Sequence, residues 1–561
     1  MKINPVSGYY KPFFNLNINT NVKPRTLEFD SVTFSGSVKN KIVRPLDIDE
    51  YESEKIINKL SSATSGLRAP YMSDIFNPKT VHLITLGVAQ YAKGHNKANG
   101  NPTVAIGGDT RIATRESLPE IKDTLLSQGV DVIYIKDPTP TPLIAFIAQK
   151  MKLPISILMT ASHNPWQDGG FNFLTPEGAV APSEITKEIS QNMDNIVKRG
   201  SYVEDITPTA KAYELNPYDL YRYNLEKLNL IDFDKISSSG IKVYYDGLQG
   251  TGTYVMPELL KDYNIPFEEI ISSGQTGPNP TKQNLSELEV TVADAKDKIK
   301  IGLANDGDAD RFGIIDEKGN FLDPNDVLLL AAYHLIHNKN LRGDIIRSQA
   351  TTQQLDRVAN MYNLKTHITP VGFKYIASDI MQTRKEGRDI IVAGEESGGL
   401  TAYGHIPEKD GILADFLILD LMAHENKPLS EILKHVKEGL GVSVYTDNYS
   451  KRLKNDEIKE AILNKAKERY DEAIIGNLDF GAMHKIDLEK TIDAANNIKH
   501  YRENGDGIKF VMTDGSTVLI RKSGTEPLLR FYIESVAKND DLAMQGAESL
   551  KKYIETNFTE G

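Results

Sequence analysis

The chain has 561 residues, 65 Lys and Arg against 77 Asp and Glu for a net charge of −12, and no cysteine. Its length exceeds what one hydrophobic core serves and implies roughly three to five domains. The lack of cysteine excludes disulfides, cysteine–zinc sites, iron–sulfur clusters and a thiol nucleophile. The acidic balance argues against a nucleic-acid partner, and no apolar run reaches the roughly 18 residues of a membrane span.

The opening MKINPVSGYYKPFF lacks the continuous apolar centre of a secretory signal, so the expected compartment is the cytoplasm. Residues 1–45 alternate Asn, Lys, Ser, Thr and isolated aromatics without periodicity. Such a stretch buries too little apolar surface to offset its ordering entropy and reads as a flexible or loosely docked leader. From about Asp47, Val- and Ile-rich runs alternate with amphipathic helical stretches: TVAIGGDTR, VDVIYIKD, LPISILMTASHNP, IKVYYDGLQGTG, KIGLANDGDADRFGIID, DIIRSQA and DIIVAGEESGG. The alternation predicts α/β units on mostly parallel sheets, with ligands at the carboxyl ends of the strands. After about Lys437 the pattern changes. DEIKEAILNKAKERYDEAI has helical spacing, and GIKFVMTDGSTVLIRKSG reads as a hairpin with Asp514 and Gly515 supplying positive φ. DDLAMQGAESLKKYIETNF closes the chain as an amphipathic helix, so this region is predicted to be a separate α+β domain.

Four loops carry chemistry. TASHNP ends the run LPISILM, and Asn164-Pro165 bars helix continuation, leaving Ser162 at a strand end facing a cleft. A turn with a capping serine explains it equally well at this level. The neighbouring His163 is badly placed to reach the Ser162 hydroxyl, and no G-x-S-x-G elbow surrounds it, so hydrolase chemistry of that type is disfavoured. A phosphoryl-carrying serine would need a metal and cationic partners. In the second loop Asp306, Asp308 and Asp310 lie two apart, so an extended backbone turns all three carboxylates to one side. Such a cluster persists only with a cation, and hard oxygen ligands select Mg²⁺. Arg311 adds a planar donor fork. An EF-hand would place Glu317 at position twelve, but Arg311 then stands at position six, where glycine is needed. In the third loop, GEESGG, Glu395 and Ser397 have the spacing to project together and the groups that sugar hydroxyls require, although taken alone the string reads by default as a Gly-rich turn with solvated acids. In the fourth, RKSGTEPLLR, Ser523, Gly524 and Thr525 offer an anion nest to which Arg521 and Arg530 can add phosphate contacts; the alternative, a charged hairpin edge, explains the Arg and Lys but not the SGT.

The four loops in this order resemble the α-D-phosphohexomutase superfamily, the phosphoglucomutases and phosphomannomutases, from about Leu46 to the C-terminus. TSGLR at Thr64–Arg68, GGDTR at Gly107–Arg111, TPVGFK at Thr369–Lys374 and GHIPEKDGI at Gly404–Ile412 add to it. The resemblance implies three similar mixed α/β-sheet domains plus a smaller C-terminal α+β domain around a central cleft. The corresponding division is leader 1–45, then 46–215, 216–320, 321–437 and 438–561. It implies that Ser162 carries the phosphoryl group and joins Asp306, Asp308 and Asp310 in holding Mg²⁺. Arg68 would stabilise charge on the transferring oxygens, and Lys374 would be an electrostatic phosphate contact. Glu395 and Ser397 would hold sugar hydroxyls, and Arg521, Ser523, Gly524 and Thr525 the non-reacting phosphate. The expected activity interconverts hexose 1- and 6-phosphates, of glucose or also mannose, through a glucose 1,6-bisphosphate intermediate and activator, in a monomer or dimer. GEESGG and GHIPEKDGI are more similar to phosphoglucomutases than to the aminosugar branch. In one departure, Asn172 stands where many members have a lysine proposed as acid/base, which leaves Asp168, His163 or Lys374 to handle protons. That departure keeps open a catalytically silent relative that binds sugar phosphate or a protein, and a metal-dependent phosphatase is a third, weaker alternative.

Overall fold

The structure is a computed structural model that describes residues 31–32, 41–48, 50–62, 66–97, 99–205, 209–272, 277–471, 484–487, 507–512, 514–522 and 527–556. Three of its sheets share one plan. The first four strands of that plan are Thr103–Gly108, Asp131–Tyr134, Ile155–Met159 and Asp168–Leu174 in the N-terminal unit. Lys242–Asp246, Phe267–Glu269, Lys300–Asn305 and Phe312–Ile315 repeat it, as do Asp344–Ser348, Thr366–Thr369, Ile390–Glu395 and Gly399–Ala402. In each sheet the order is second, first, third, fourth; the first three strands run parallel and the fourth antiparallel. The third strands ISILM, KIGLAN and IIVAGE are buried along their whole length. Their apolar residues therefore run on without polar alternation, as a sheet covered on both faces requires.

This plan fixes where the chemistry sits. TASHNP, NDGDADR and GEESGG all lie on the connection between third and fourth strands of their own sheet, at equivalent positions. The N-terminal sheet is extended at one edge by Ala212–Glu214 and Ser31–Val32 and at the other by Leu67–Pro70. Lys41–Pro45, at the end of the stretch read as a leader, forms an exposed strand paired antiparallel with Ser201–Asp205. The remaining leader residues, apart from Ser31–Val32, lie outside the described residues. The N-terminal unit has its own core, whereas the second and third share one: Val243, Leu303, Leu328 and Val392 belong to a single cluster with Leu417. Leu417 comes from Gly411–Glu425, a helix buried on every side and capped by Asp410, whose carboxylate accepts from Leu413 N. No described helix is long and apolar enough to cross a membrane.

The C-terminal region is a five-stranded antiparallel sheet in the order Ser443–Arg452, Leu528–Ala537, Thr517–Lys522, Gly507–Val511, His484–Asp487. One face packs Phe510, Ile520 and Phe531 with Leu463 and Leu550 of the helices Asp456–Asp471 and Asp540–Ile554. The predicted hairpin forms, but not with a two-residue turn. Met512 N donates to Ser516 O at 2.8 Å and, among the described turn residues, only Gly515 (φ 91°) has positive φ. A three-residue loop ending on a left-handed glycine does the same task without asking Asp514 for that conformation.

The other face of this sheet is largely polar and meets the third unit. Thr446 donates to Asp323, Gln353 N and Nε2 donate to Glu534, and Lys509 Nζ donates to Gln349 O at 2.7 Å. A narrow gap of about 10 Å³ remains between them, lined by Gln349, Thr351, Lys509, Tyr532 and Glu534. Burial, then Arg347, pushes the Lys509 ammonium down to about 8, against the opposing pull of Glu534, Asp356 and Glu396. A lysine whose value drops on docking penalises the docked state below about pH 8 and ceases to do so as pH approaches its ordinary 10.5. Stability of the intact chain to urea is therefore expected to rise from pH 8 to 10. Lys509→Met should be more stable by about 2 kcal/mol at pH 7 and lose that pH dependence. A variant no more stable than the parent at pH 7 would refute the assignment.

Candidate active site

Ser162 sits just past the strand Ile155–Met159, only 2% exposed and in the left-handed region at φ 51°. Its N–H donates to Thr160 Oγ1 at 2.8 Å, and its Oγ donates to Asp306 Oδ2 at 2.9 Å across the boundary between the first two units. The serine loop and the aspartate loop thus meet. Two expectations are corrected. His163 does reach its neighbour, with Nδ1 3.3 Å from Ser162 Oγ, because the left-handed backbone at Ser162 swings successive side chains together. Nor do the aspartates converge from an extended backbone: residues 306–311 turn, closed by Ala309 N to Asp306 O at 3.0 Å with Ala309 at φ 53°. Gly307 is required there, since a Cβ would fall 2.8 Å from the Ser162 carbonyl oxygen.

Oxygens of Asp306, Asp308 and Asp310 lie within 4.8 Å of one another, all buried. Asp306 Oδ1 accepts from the backbone N–H of Asp310 and Arg311, both at 3.1 Å. Asp308 Oδ2 accepts from Thr141 Oγ1 at 2.7 Å, while Oδ1 of Asp308 and Oδ1 of Asp310 have no hydrogen-bond partner. Burial and then the charges of Asp308 and Asp310 raise Asp306 well above the carboxylate range; burial and then Asp310 raise Asp308 to about 6. Gathered, desolvated and partly orphaned carboxylates are what a small hard cation satisfies, so the residues fit Mg²⁺. Glu317, the EF-hand candidate, instead accepts from Ser430 N and Oγ. A second gathering, His334, Asp420 and His424, is already served by Lys339, whose Nζ lies 2.6 Å from Asp420 Oδ2.

Cations ring this centre. Lys409 Nζ lies 2.7 Å from Asp310 Oδ2 and 3.2 Å from Glu408 Oε1; burial opposes its charge, but Asp310 and Glu408 outweigh burial and hold it protonated. Burial lowers Arg68, whose Nε has no hydrogen-bond partner, and Asp308 is the largest charge acting against that loss. Arg311 Nε is 3.8 Å from Asp310 Oδ1. Arg311, then burial, Arg68, Lys409 and Arg530, drive His163 well below its ordinary value, so the imidazole is neutral. Arg530 acts on His163 from the C-terminal sheet, where it stands directly opposite Arg521 across two strands. Ser523, Gly524 and Thr525 lie outside the described residues.

In the third unit Glu395 is buried at a strand end and accepts from Gly372 N at 2.6 Å; burial and then Glu396 raise it to about 7. Ser397 is exposed on the following turn. Lys374 Nζ contacts Ser183 Oγ at 3.2 Å, at the start of the helix Ser183–Arg199 in the N-terminal unit. Asp168 accepts from Asn164 Nδ2, and Asn172, buried, donates to Thr160 O at 2.9 Å with its own Oδ1 unpaired. The sequence reading gave no role to Lys409, Thr141, Asp109 or Arg111. GHIPEKDGI and GGDTR pointed at three of these four, but nothing in either string says which side chain turns inward.

Four models of one family match in order: "Phosphoglucomutase/phosphomannomutase, alpha/beta/alpha" domains I, II and III over residues 59–200, 220–319 and 323–438, and the C-terminal domain over 483–551. Among curated proteins, a phosphoglucosamine mutase of Nitratidesulfovibrio vulgaris is 29% identical over 66% of this chain and 80% of its own length. A phosphoglucomutase of Komagataeibacter xylinus is 26% identical over 85% and 87%. In fold, the chain is similar to the open form of the Paramecium phosphoglucomutase pp63/parafusin, with a TM-score of 0.75 over 93% of this chain and 98% of that one at 22% identity. A buried serine hydroxyl bonded to a triple-aspartate turn, on units matched one by one along the chain, leaves a single conclusion: this chain belongs to the phosphoglucomutase/phosphomannomutase family of intramolecular phosphotransferases.

Proposed function

We propose that the chain interconverts glucose 1-phosphate and glucose 6-phosphate through a phosphoserine at Ser162 and a bound glucose 1,6-bisphosphate. The observation that carries this reading is the 2.9 Å bond from Ser162 Oγ to Asp306. In the forward step the Ser162 Oγ–P bond breaks as a bond forms from phosphorus to a sugar hydroxyl oxygen. The hydroxyl loses a proton and Ser162 Oγ gains one. His163 Nδ1, neutral and 3.3 Å from Oγ, is placed to hold that proton, a role Asn172 cannot take because an amide has no basic site. Asp306, Asp308 and Asp310 would hold Mg²⁺, which when bound supplies charge stabilisation to phosphoryl oxygens. Arg68 and Lys409 add fixed positive charge on the same side. Arg521 and Arg530 would grip the phosphate that does not react, whichever end of the sugar it occupies, and Glu395 and Ser397 the ring hydroxyls.

Because Glu395 and Ser397 read hydroxyls common to glucose and mannose, mannose phosphates are expected to react as well. The 29% identity to an aminosugar mutase favours glucosamine phosphate as the second reading. A coupled assay with Mg²⁺ and a trace of bisphosphate, run on the 1-phosphates of glucose, mannose and glucosamine, separates them. The expected order is glucose first, mannose second, glucosamine slowest. Fastest turnover of glucosamine phosphate would reassign the substrate. No turnover of any, with no labile phosphate on Ser162 by intact mass, would leave a silent relative.

A further inference from the structure

In every repeat the loop after the first strand touches the loop that bears the chemistry. In the third unit Ser348 Oγ and Thr351 Oγ1 donate to Glu396 at 3.0 and 3.2 Å. In the second, Thr251 N donates to Gly307 O at 3.0 Å, and Gly250 lies so close that a Cβ would fall 2.8 Å from Asp306 O. In the first unit the contact is made mainly by the side chains of Asp109 and Arg111. Arg111, 2% exposed, sends Nη2 to the carbonyls of Ser162 (2.6 Å) and Asn164 (2.7 Å), and Nη1 to those of Pro165 and Asp168. Its Nε is fixed by Asp109 at 3.0 Å, whose carboxylate also accepts from Thr114 and Thr160 hydroxyls, both at 2.7 Å. Between these two residues, Thr110 Oγ1 donates to Gln249 O at 3.0 Å. Gln249 belongs to the turn beneath Asp306 and Gly307, where it and Leu248 both hold left-handed φ, 57° and 46°, without being glycine. Such a turn persists only if its surroundings over-determine it.

We propose that Asp109-Thr110-Arg111 is a positioning bracket for phosphoryl transfer: Arg111 sets the height of the Ser162 loop, and Thr110, through Gln249, sets the turn on which the aspartate loop rests. The three residues touch neither substrate nor the reacting oxygen. They act by holding Ser162 Oγ and the aspartates in one register, and a shift of about 1 Å there costs on the order of a hundredfold in rate. The bracket rests on the reading of Ser162 as the phosphoryl carrier, but its geometry has a readout of its own. Trp166, the single tryptophan of the chain, lies in the clamped loop with its ring 5.5 Å from the Arg111 guanidinium.

The test uses Arg111→Lys, Thr110→Val and Thr110→Ser in the full chain. Lysine keeps the charge but cannot fork to four carbonyls. In Arg111→Lys, kcat with glucose 1-phosphate should fall about a hundredfold with KM within about threefold. Trp166 emission should shift, with faster acrylamide quenching, at an unchanged far-UV spectrum. Thr110→Val should lower kcat about tenfold, and Thr110→Ser, which keeps the hydroxyl, should restore it. If Arg111→Lys fails to fold, the Val and Ser pair decides alone. Near-normal kcat together with parental Trp166 emission in Arg111→Lys, or equal kcat in the two Thr110 variants, would overturn the bracket. An inactive parent whose Trp166 still responds to Arg111→Lys would instead condemn the substrate reading and leave the bracket standing.

Discussion

Ser162→Ala is expected to bring phosphoryl transfer below detection with every hexose phosphate, because the only oxygen bonded to Asp306 from the serine loop is removed. The rest of the molecule should persist. The hydroxyl is buried and hydrogen-bonded, so its loss costs about 1 kcal/mol, more than a surface serine would, yet far less than a fold of this size can tolerate. Alanine inherits the left-handed backbone at position 162, and the Arg111 clamp on its carbonyl is a backbone contact that survives the change. Two measurements check this: the coupled assay, and intact mass after exposure to glucose 1,6-bisphosphate, which should show a phosphate adduct on the parent and none on the variant. Appreciable turnover by the alanine variant would place the phosphoryl group on another residue.

Lys409→Met should be nearly as damaging, for a different reason. The ammonium balances Asp310 and Glu408 in a buried site, and breaking a buried pair leaves charge without compensation, typically at about 3–5 kcal/mol. Turnover is expected to fall at least about a hundredfold, since a fixed positive charge beside the transferring group is lost. Metal binding should move the other way. Asp310 Oδ2, relieved of its lysine, becomes a better ligand, so calorimetric titration with Mg²⁺ should show unchanged or tighter binding in the variant. Adding Asp310→Asn to Lys409→Met should recover part of the lost stability, because the double change removes both charges. Weaker Mg²⁺ binding in Lys409→Met would mean that the lysine organises the aspartates rather than neutralising one of them.

The parts that could be read from the sequence were those whose chemistry is local. Buried strands such as ISILM and KIGLAN announce themselves by mostly apolar runs that lack regular polar alternation, and three aspartates at alternate positions gather negative charge whatever the backbone does. What escaped was the backbone conformation. No pattern marks Ser162 or Ala309 as left-handed, since neither is glycine, asparagine or aspartate, yet those two φ angles bring His163 to the hydroxyl and fold the aspartates together. Lys409 and Arg111 escaped because their partners are remote: Asp310 lies in another unit, and what Arg111 clamps are backbone carbonyls of Ser162, Asn164, Pro165 and Asp168, which no side chain advertises. The likeness of the three units was legible through the family resemblance rather than as an internal repeat, because shared strand order leaves no shared letters.

The polar face of the C-terminal sheet has a thermodynamic consequence. Its described contacts with the third unit are mainly hydrogen bonds, and the apolar cluster of that region contains none of the third unit's side chains. Parting the two surfaces would therefore uncover little oily area, so the equilibrium between shut and ajar should carry a small heat-capacity change and a shallow urea slope. The enthalpy of parting would then be nearly constant with temperature, giving a straight van't Hoff plot.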